Sequence, residues 1–217
     1  MPSTRTVDRP RKALAIAKRY LRRERPLSAL IVVLAAAGFL GTFVATSLAP
    51  AVVVGGLLII VVRAPIIDSR GTVRLRTDED AESVVESFTG PTPPILVFQW
   101  GIADEILTGD TVTYRLSYLF GLRSVEVTVD TRTDRTRDGG RRIELEVTVD
   151  GQPWSTYVVT VDTRDDWTVV EYEYTADRRF GLRRVPQWIV ANRYRDDALE
   201  AQGYAVVERN ERYGVAI

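Results

Sequence analysis

The sequence predicts an α+β protein. An antiparallel meander sheet grips a long C-terminal helix, and a transmembrane helical hairpin precedes them. Three observations carry this expectation. Thirty-six consecutive residues, Leu27 to Val62, hold no charged side chain. From Arg70 onward apolar residues recur at every second position, as half-buried strands require. Val185, Trp188, Ile189 and Leu199 fall on one side of a helix over Pro186–Gln202, with Pro at its first position and Gly203 at its stop.

The uncharged run separates two regions of opposite charge. Residues 1–26 hold nine Lys/Arg against Asp8 and Glu24, and residues 68–217 hold 19 Arg against 27 Asp/Glu, so the overall neutrality is a cancellation. The 217 residues contain no Cys and no His, which removes thiol chemistry, disulfides, the commonest general base and the commonest zinc ligand. The acidity of the second region argues against nucleic acid as a partner.

Residues 1–26 read as a basic amphipathic cytoplasmic segment. Ala13, Leu14, Ala17, Tyr20 and Leu21 share one helical face, and Arg11, Lys12, Lys18, Arg19, Arg22 and Arg23 surround it in the manner of a helix lying on a membrane surface. Residues 27–67 are then expected to form the hairpin, over about 27–48 and 51–67. One helix of the whole uncharged run would measure about 54 Å against about 30 Å of hydrocarbon, and Pro50 interrupts it. Arginines flank both ends and the turn has none, so both termini are expected in the cytoplasm of a two-pass cell-membrane protein, with the lipid bilayer as partner. A cleaved signal peptide is disfavoured by the length of the apolar stretch. Ala37, Gly41 and Ala45, with Ala51 and Gly55, put small residues on helix faces where a tight hairpin or a homo-oligomer could form.

Residues 68–217 are expected to fold as the α+β domain. Gly71–Thr77 reads as a strand, and a helix follows, started at Thr77 and Asp80 and ended by the prolines after Gly90. Six alternating runs come next: Leu96/Phe98/Trp100/Ile102, Val112/Tyr114/Leu116/Tyr118, Val125/Val127/Val129, Ile143/Leu145/Val147/Val149, Tyr157/Val159/Val161 and Val170/Tyr172/Tyr174. Asp150-Gly151 is the sharpest hairpin turn between them, since both residues tolerate positive φ. Tyr204–Tyr213 reads as a last strand.

This order of strand, helix, six-strand meander and long helix resembles the START-like or polyketide-cyclase (helix-grip) superfamily over roughly residues 70–203. The arginine-rich, acidic composition resembles uncharacterised membrane proteins of salt-loving archaea. The superfamily resemblance implies an apolar ligand between sheet and helix, with Trp100, Tyr114, Tyr118, Tyr172 and Trp188 lining the slot. An ordinary filled core accounts for the same aromatics.

No phosphate-cradling glycine motif occurs. The acidic pairs Asp78/Asp80, Asp165/Asp166 and Asp196/Asp197 read as caps or solvated charges, and Glu144/Glu146 and Glu171/Glu173 follow from alternation on wet strand faces. No catalytic residue, metal site or cofactor is therefore predicted. The expected function is a membrane-anchored, non-catalytic binding module for a lipid or another apolar molecule. The alternatives are an envelope or interaction protein with a packed domain and a protein partner, and a cyclase- or hydrolase-like enzyme using carboxylates, Tyr and Arg.

Overall fold

The computed structural model describes residues 7, 9–64, 67–118, 123–136, 139–164, 166–179, 181 and 185–215. Helix α1 (Arg11–Ala45) is followed by α2 (Leu48–Arg63), strand β1 (Ile67–Thr77) and helix α3 (Ala81–Thr89). A single 3-10 turn, Pro94–Leu96, leads into the short helix α4 (Val97–Trp100). The meander then runs through β2 (Glu105–Thr108), β3 (Val112–Tyr118), β4 (Arg123–Arg135), β5 (Arg141–Val149), β6 (Gln152–Arg164) and β7 (Trp167–Ala176). Helix α5 (Val185–Glu200) and strand β8 (Ala205–Val215) complete the chain.

The eight strands form one sheet in the order β2-β3-β4-β5-β6-β7-β1-β8, and each neighbouring pair is antiparallel. Alternation decides its faces. Val73, Leu75, Ile143, Leu145, Val159, Val170 and Tyr172 point into the core, while Arg74, Glu171 and Glu208 point out. The Asp150-Gly151 turn forms with φ of 50° and 71°. It is locked by Asp150, whose carboxylate accepts from the Glu126 amide at 3.0 Å and whose own amide donates to the Glu126 carbonyl at 2.8 Å. Helix α3 begins at Asp80, whose carboxylate accepts from the amides of Glu82 and Ser83 at 3.0 and 2.9 Å, the donors a helix start leaves open.

The run 94–102 is not a strand. Pro94 starts a 3-10 turn and α4 follows, so Leu96, Val97 and Trp100 share one buried helical face. The place of the expected strand is taken by β2, which pairs with β3 across the Gly109 turn. Strand β1 also starts earlier than Gly71, because β8 pairs with it back to Ile67.

The N-terminal helices differ most from expectation. Among the described residues no helix is long and apolar enough to cross a membrane. The 16 residues of α2 span about 24 Å, short of the roughly 30 Å of a hydrocarbon core. In α1 charged side chains continue to Arg25. The transmembrane hairpin anchor, the two-pass cell-membrane location and the cytoplasmic placement of the termini are corrected on this finding. Helix α1 instead passes through Pro26 without ending. Pro50 lies in the first turn of α2, where proline removes no helical hydrogen bond.

The first half of α1 is part of the folded domain. Ala13 and Ala17 are fully buried and Tyr20 nearly so. The Tyr20 ring lies 4.5 Å from that of Phe98, and Arg9 Nη1 donates to the Ala103 carbonyl at 2.8 Å. A Cβ on Gly101 would stand 2.6 Å from Ala17 Cβ, so α1 and the end of α4 approach as closely as glycine allows. The apolar stripe of residues 10–25 thus rests on protein. The second half of α1 packs on α2, with Phe39 over Gly55 and Leu58 against Gly38, while Val32, Val44, Val53 and Ile60 are exposed.

Candidate binding surface

Of the aromatic residues expected to line an apolar slot, Trp100, Tyr114 and Tyr172 are buried. Trp100 is fully buried, and its indole Nε1 donates to the Pro93 carbonyl at 2.9 Å. Tyr114 is also fully buried, and its hydroxyl donates to the Pro91 carbonyl at 3.0 Å. Both rings therefore tie the proline-rich loop to the sheet with their polar atoms satisfied. Tyr172 is buried among β6, β1 and β8 near Arg195, Arg209 and Glu211. The side chains of Tyr118 and Trp188 lie outside the described residues. Arg11, Lys12, Lys18, Arg19, Arg22 and Arg23 are all exposed along α1.

An ionic cluster closes one end of the inner face. Glu211 on β8 accepts from Arg195 Nη1 of α5 at 2.9 Å and from Arg209 Nη1 at 2.7 Å. Arg209 also bonds Asp196 on α5. The Arg195 guanidinium stands 5.8 Å from the centre of the Tyr174 ring. Two cations and two carboxylates thus neutralise one another and fasten α5 to β8. Alternation along β8 turns Arg209 and Glu211 toward the dry face. That was the sequence signal for this cluster, but nothing in the chain marked Arg195 as their partner. Asp196, expected to be a solvated charge, is half exposed and bonds Arg209.

Burial also acts on the tyrosines. It raises the phenol pKa values of Tyr114, Tyr157 and Tyr204, and pushes that of Tyr172 up to about 12, with Arg195 and Arg209 opposing the rise. A phenol with a higher pKa folded than unfolded keeps its proton longer in the folded state. Its contribution is intact below pH ~10 and is lost as pH rises through the folded value. Stability is expected to fall from about pH 10 to about pH 12. The slope is about 1.4 kcal/mol per pH unit for each such tyrosine that is neutral folded and ionised unfolded. Denaturant midpoints across that range measure the slope, and Tyr172→Phe should reduce it.

Two concavities open on the wet face of β7, β1 and β8, and both are polar. The larger, about 600 Å³, is walled by Arg70, Thr72, Glu173, Thr175, Asn210 and Arg212 and reaches Gly71, Tyr174 and Glu211. The smaller, about 200 Å³, continues past Thr72 to Arg74, Glu171 and Glu208. The two differ in charge pairing. Arg74 meets Glu171 at 2.8 Å and Glu208 at 3.3 Å. Arg70 and Arg212 stand directly opposite each other in the β1–β8 register, and neither makes an ion pair among the described residues. Like charges in that position repel. Sequence reasoning missed this pair because it depends on the register of β8. Among the described residues no group of acidic side chains could hold a metal ion.

These features define an α+β protein built on one eight-stranded antiparallel sheet with an open, polar outer trough. No family model matches the chain, and no curated protein does. Among solved structures, a conserved protein from Geobacillus kaustophilus is similar at 14% identity and TM-score 0.41, covering 66% of this chain and 99% of its own. The Mll3558 protein from Rhizobium loti is similar at 19% identity and TM-score 0.40, covering 63% of this chain and 96% of its own. CalU16 from Micromonospora echinospora is similar at 13% identity and TM-score 0.27, covering 62% and 84%. Likenesses this loose assign no family. The expected membership of the START-like superfamily, and of membrane proteins of salt-loving archaea, is corrected accordingly. The architecture gives the physical reason: α5 packs chiefly on α1 and meets the sheet mainly at β8, rather than being gripped along its length by the meander.

Proposed function

We propose that this protein is a non-catalytic binding module that receives a polar, carboxylate-bearing partner in the outer trough across β7, β1 and β8. The observation that carries this reading is the facing pair Arg70 and Arg212, which make no ion pair among the described residues and stand at the rim of a concavity of about 600 Å³. An anionic group set between two guanidiniums replaces repulsion with charge-assisted hydrogen bonds. Thr72 and Thr175 add hydroxyls beside them, and Glu173 places one carboxylate against the two guanidiniums. The interior supports the same reading, because Trp100, Tyr114 and Tyr172 are fully or almost fully buried in protein and stand where an apolar ligand would have to lie.

Titration calorimetry of the full chain with a hexaglutamate peptide tests it. Binding is expected to weaken as salt rises and to fall at least tenfold in Arg70→Glu. Absence of binding, affinity unchanged in Arg70→Glu, or an apolar molecule retained in native mass spectra of the purified chain would each overturn the reading.

A further inference from the structure

We infer that the free edge of β8 pairs antiparallel with the same edge of a second copy, centred on Asn210, so that the sheet runs continuously through a two-fold dimer. Strand β8 is 11 residues long, and among the described strands only β1 pairs with it. A long open edge presents unpaired backbone donors and acceptors, and proteins usually blunt or cover it. The order of charge along this edge is self-complementary. In Glu208-Arg209-Asn210-Glu211-Arg212, antiparallel pairing about Asn210 sets Glu208 opposite the partner's Arg212 and Arg209 opposite the partner's Glu211, twice each by symmetry.

Three further features fit this register. Arg212, opposite Arg70 and without an ion pair in its own copy among the described residues, receives a carboxylate from the partner. The outer faces of the two sheets coincide, so Glu208, Asn210 and Arg212 meet on the wet side while Arg209 and Glu211 stay on the inner side. The pairing of β1 with β8 shifts between Arg74 and Leu75 and skips Val207, so the regular edge starts at Glu208 and defines where a second strand can align. Val207, 61% exposed at that irregularity, is covered by the added strand. This inference uses the edge of β8; in the dimer Glu208 of the second copy sits beside Arg212 and leaves Arg70, whose substitution tests the trough, as the cation open to a ligand.

The chain has no cysteine, so Asn210→Cys gives one thiol per copy at the two-fold axis, with Cα atoms expected about 4.5–5.5 Å apart, within disulfide reach. Mild oxidation of the full chain, dispersed in a gentle detergent, should give a disulfide-linked dimer. Thr72→Cys on the same face should not. By light scattering after size exclusion, Glu208→Arg should weaken the dimer at least tenfold, and Glu208→Arg with Arg212→Glu should restore it. Cross-linking no faster at residue 210 than at residue 72, a dimer indifferent to Glu208→Arg, or a failure of the double exchange to rescue would each refute the pairing. Association through the exposed apolar side chains of α1 and α2 would survive Glu208→Arg and would count against it.

Discussion

Glu211→Gln is expected to destabilise the folded chain by about 3 kcal/mol, the low end of the range for breaking a buried ion pair. Glu211 is shared by two guanidiniums, at 2.9 Å from Arg195 and 2.7 Å from Arg209. Its side chain is 9% exposed, and those of its partners are 24% and 21% exposed. Replacing it with a neutral amide leaves two cations inside the fold with, among the described residues, Asp196, itself half exposed, to balance them. Water reaching the arginine tips moderates the penalty, which places the figure at the low end. The exposed pair Arg74–Glu171 is the control. It has an equally short contact, 2.8 Å, yet Glu171→Gln should leave stability unchanged within error, because solvent screens the pair and its side chains give up rotamer freedom to form it. Urea unfolding of both variants under the same conditions makes the comparison. Equal effects would mean that the inner cluster is as well hydrated as the outer one.

The sheet was legible where alternation met a turn. Asp150-Gly151 between two valine-rich runs fixes the β5–β6 hairpin from local chemistry alone, and the structure places it there. The segment 94–102 was not legible, because Leu96, Phe98, Trp100 and Ile102 fit a period of two, and Leu96, Val97 and Trp100 fit a helical turn equally well. Pro94 decides for the turn, since it suits the first position of a helix and donates nothing to a strand ladder. The partner of the first helix was illegible for another reason. A stripe of Ala13, Ala17 and Tyr20 specifies an apolar neighbour but not which one, and the neighbour here is the domain, at Gly101 and Phe98. The polar features were hidden by sequence distance. Arg195 and Glu211 lie 16 residues apart and meet only because α5 reverses into β8, and Arg70 faces Arg212 only through the register of the last strand.

Trp100→Ala separates a filled interior from a binding slot. If the indole lined a ligand site, its removal would spare folding and cost affinity. In this fold its ring is enclosed between α4 and the sheet, fully buried, and its Nε1 holds the Pro93 carbonyl at 2.9 Å. Truncation is therefore expected to cost about 3–5 kcal/mol, from lost burial and the cavity left behind. It also strands the Pro93 carbonyl, which adds to the cost unless water enters. Trp100→Phe retains most of the ring volume and loses the donor, so it should cost clearly less. The two variants apportion the effect between packing and the hydrogen bond. The measured quantity is the denaturant midpoint at constant m-value. A Trp100→Ala chain as stable as the parent would show that the space around residue 100 is not closed, and would return the aromatic residues of the inner face to candidacy as ligand contacts.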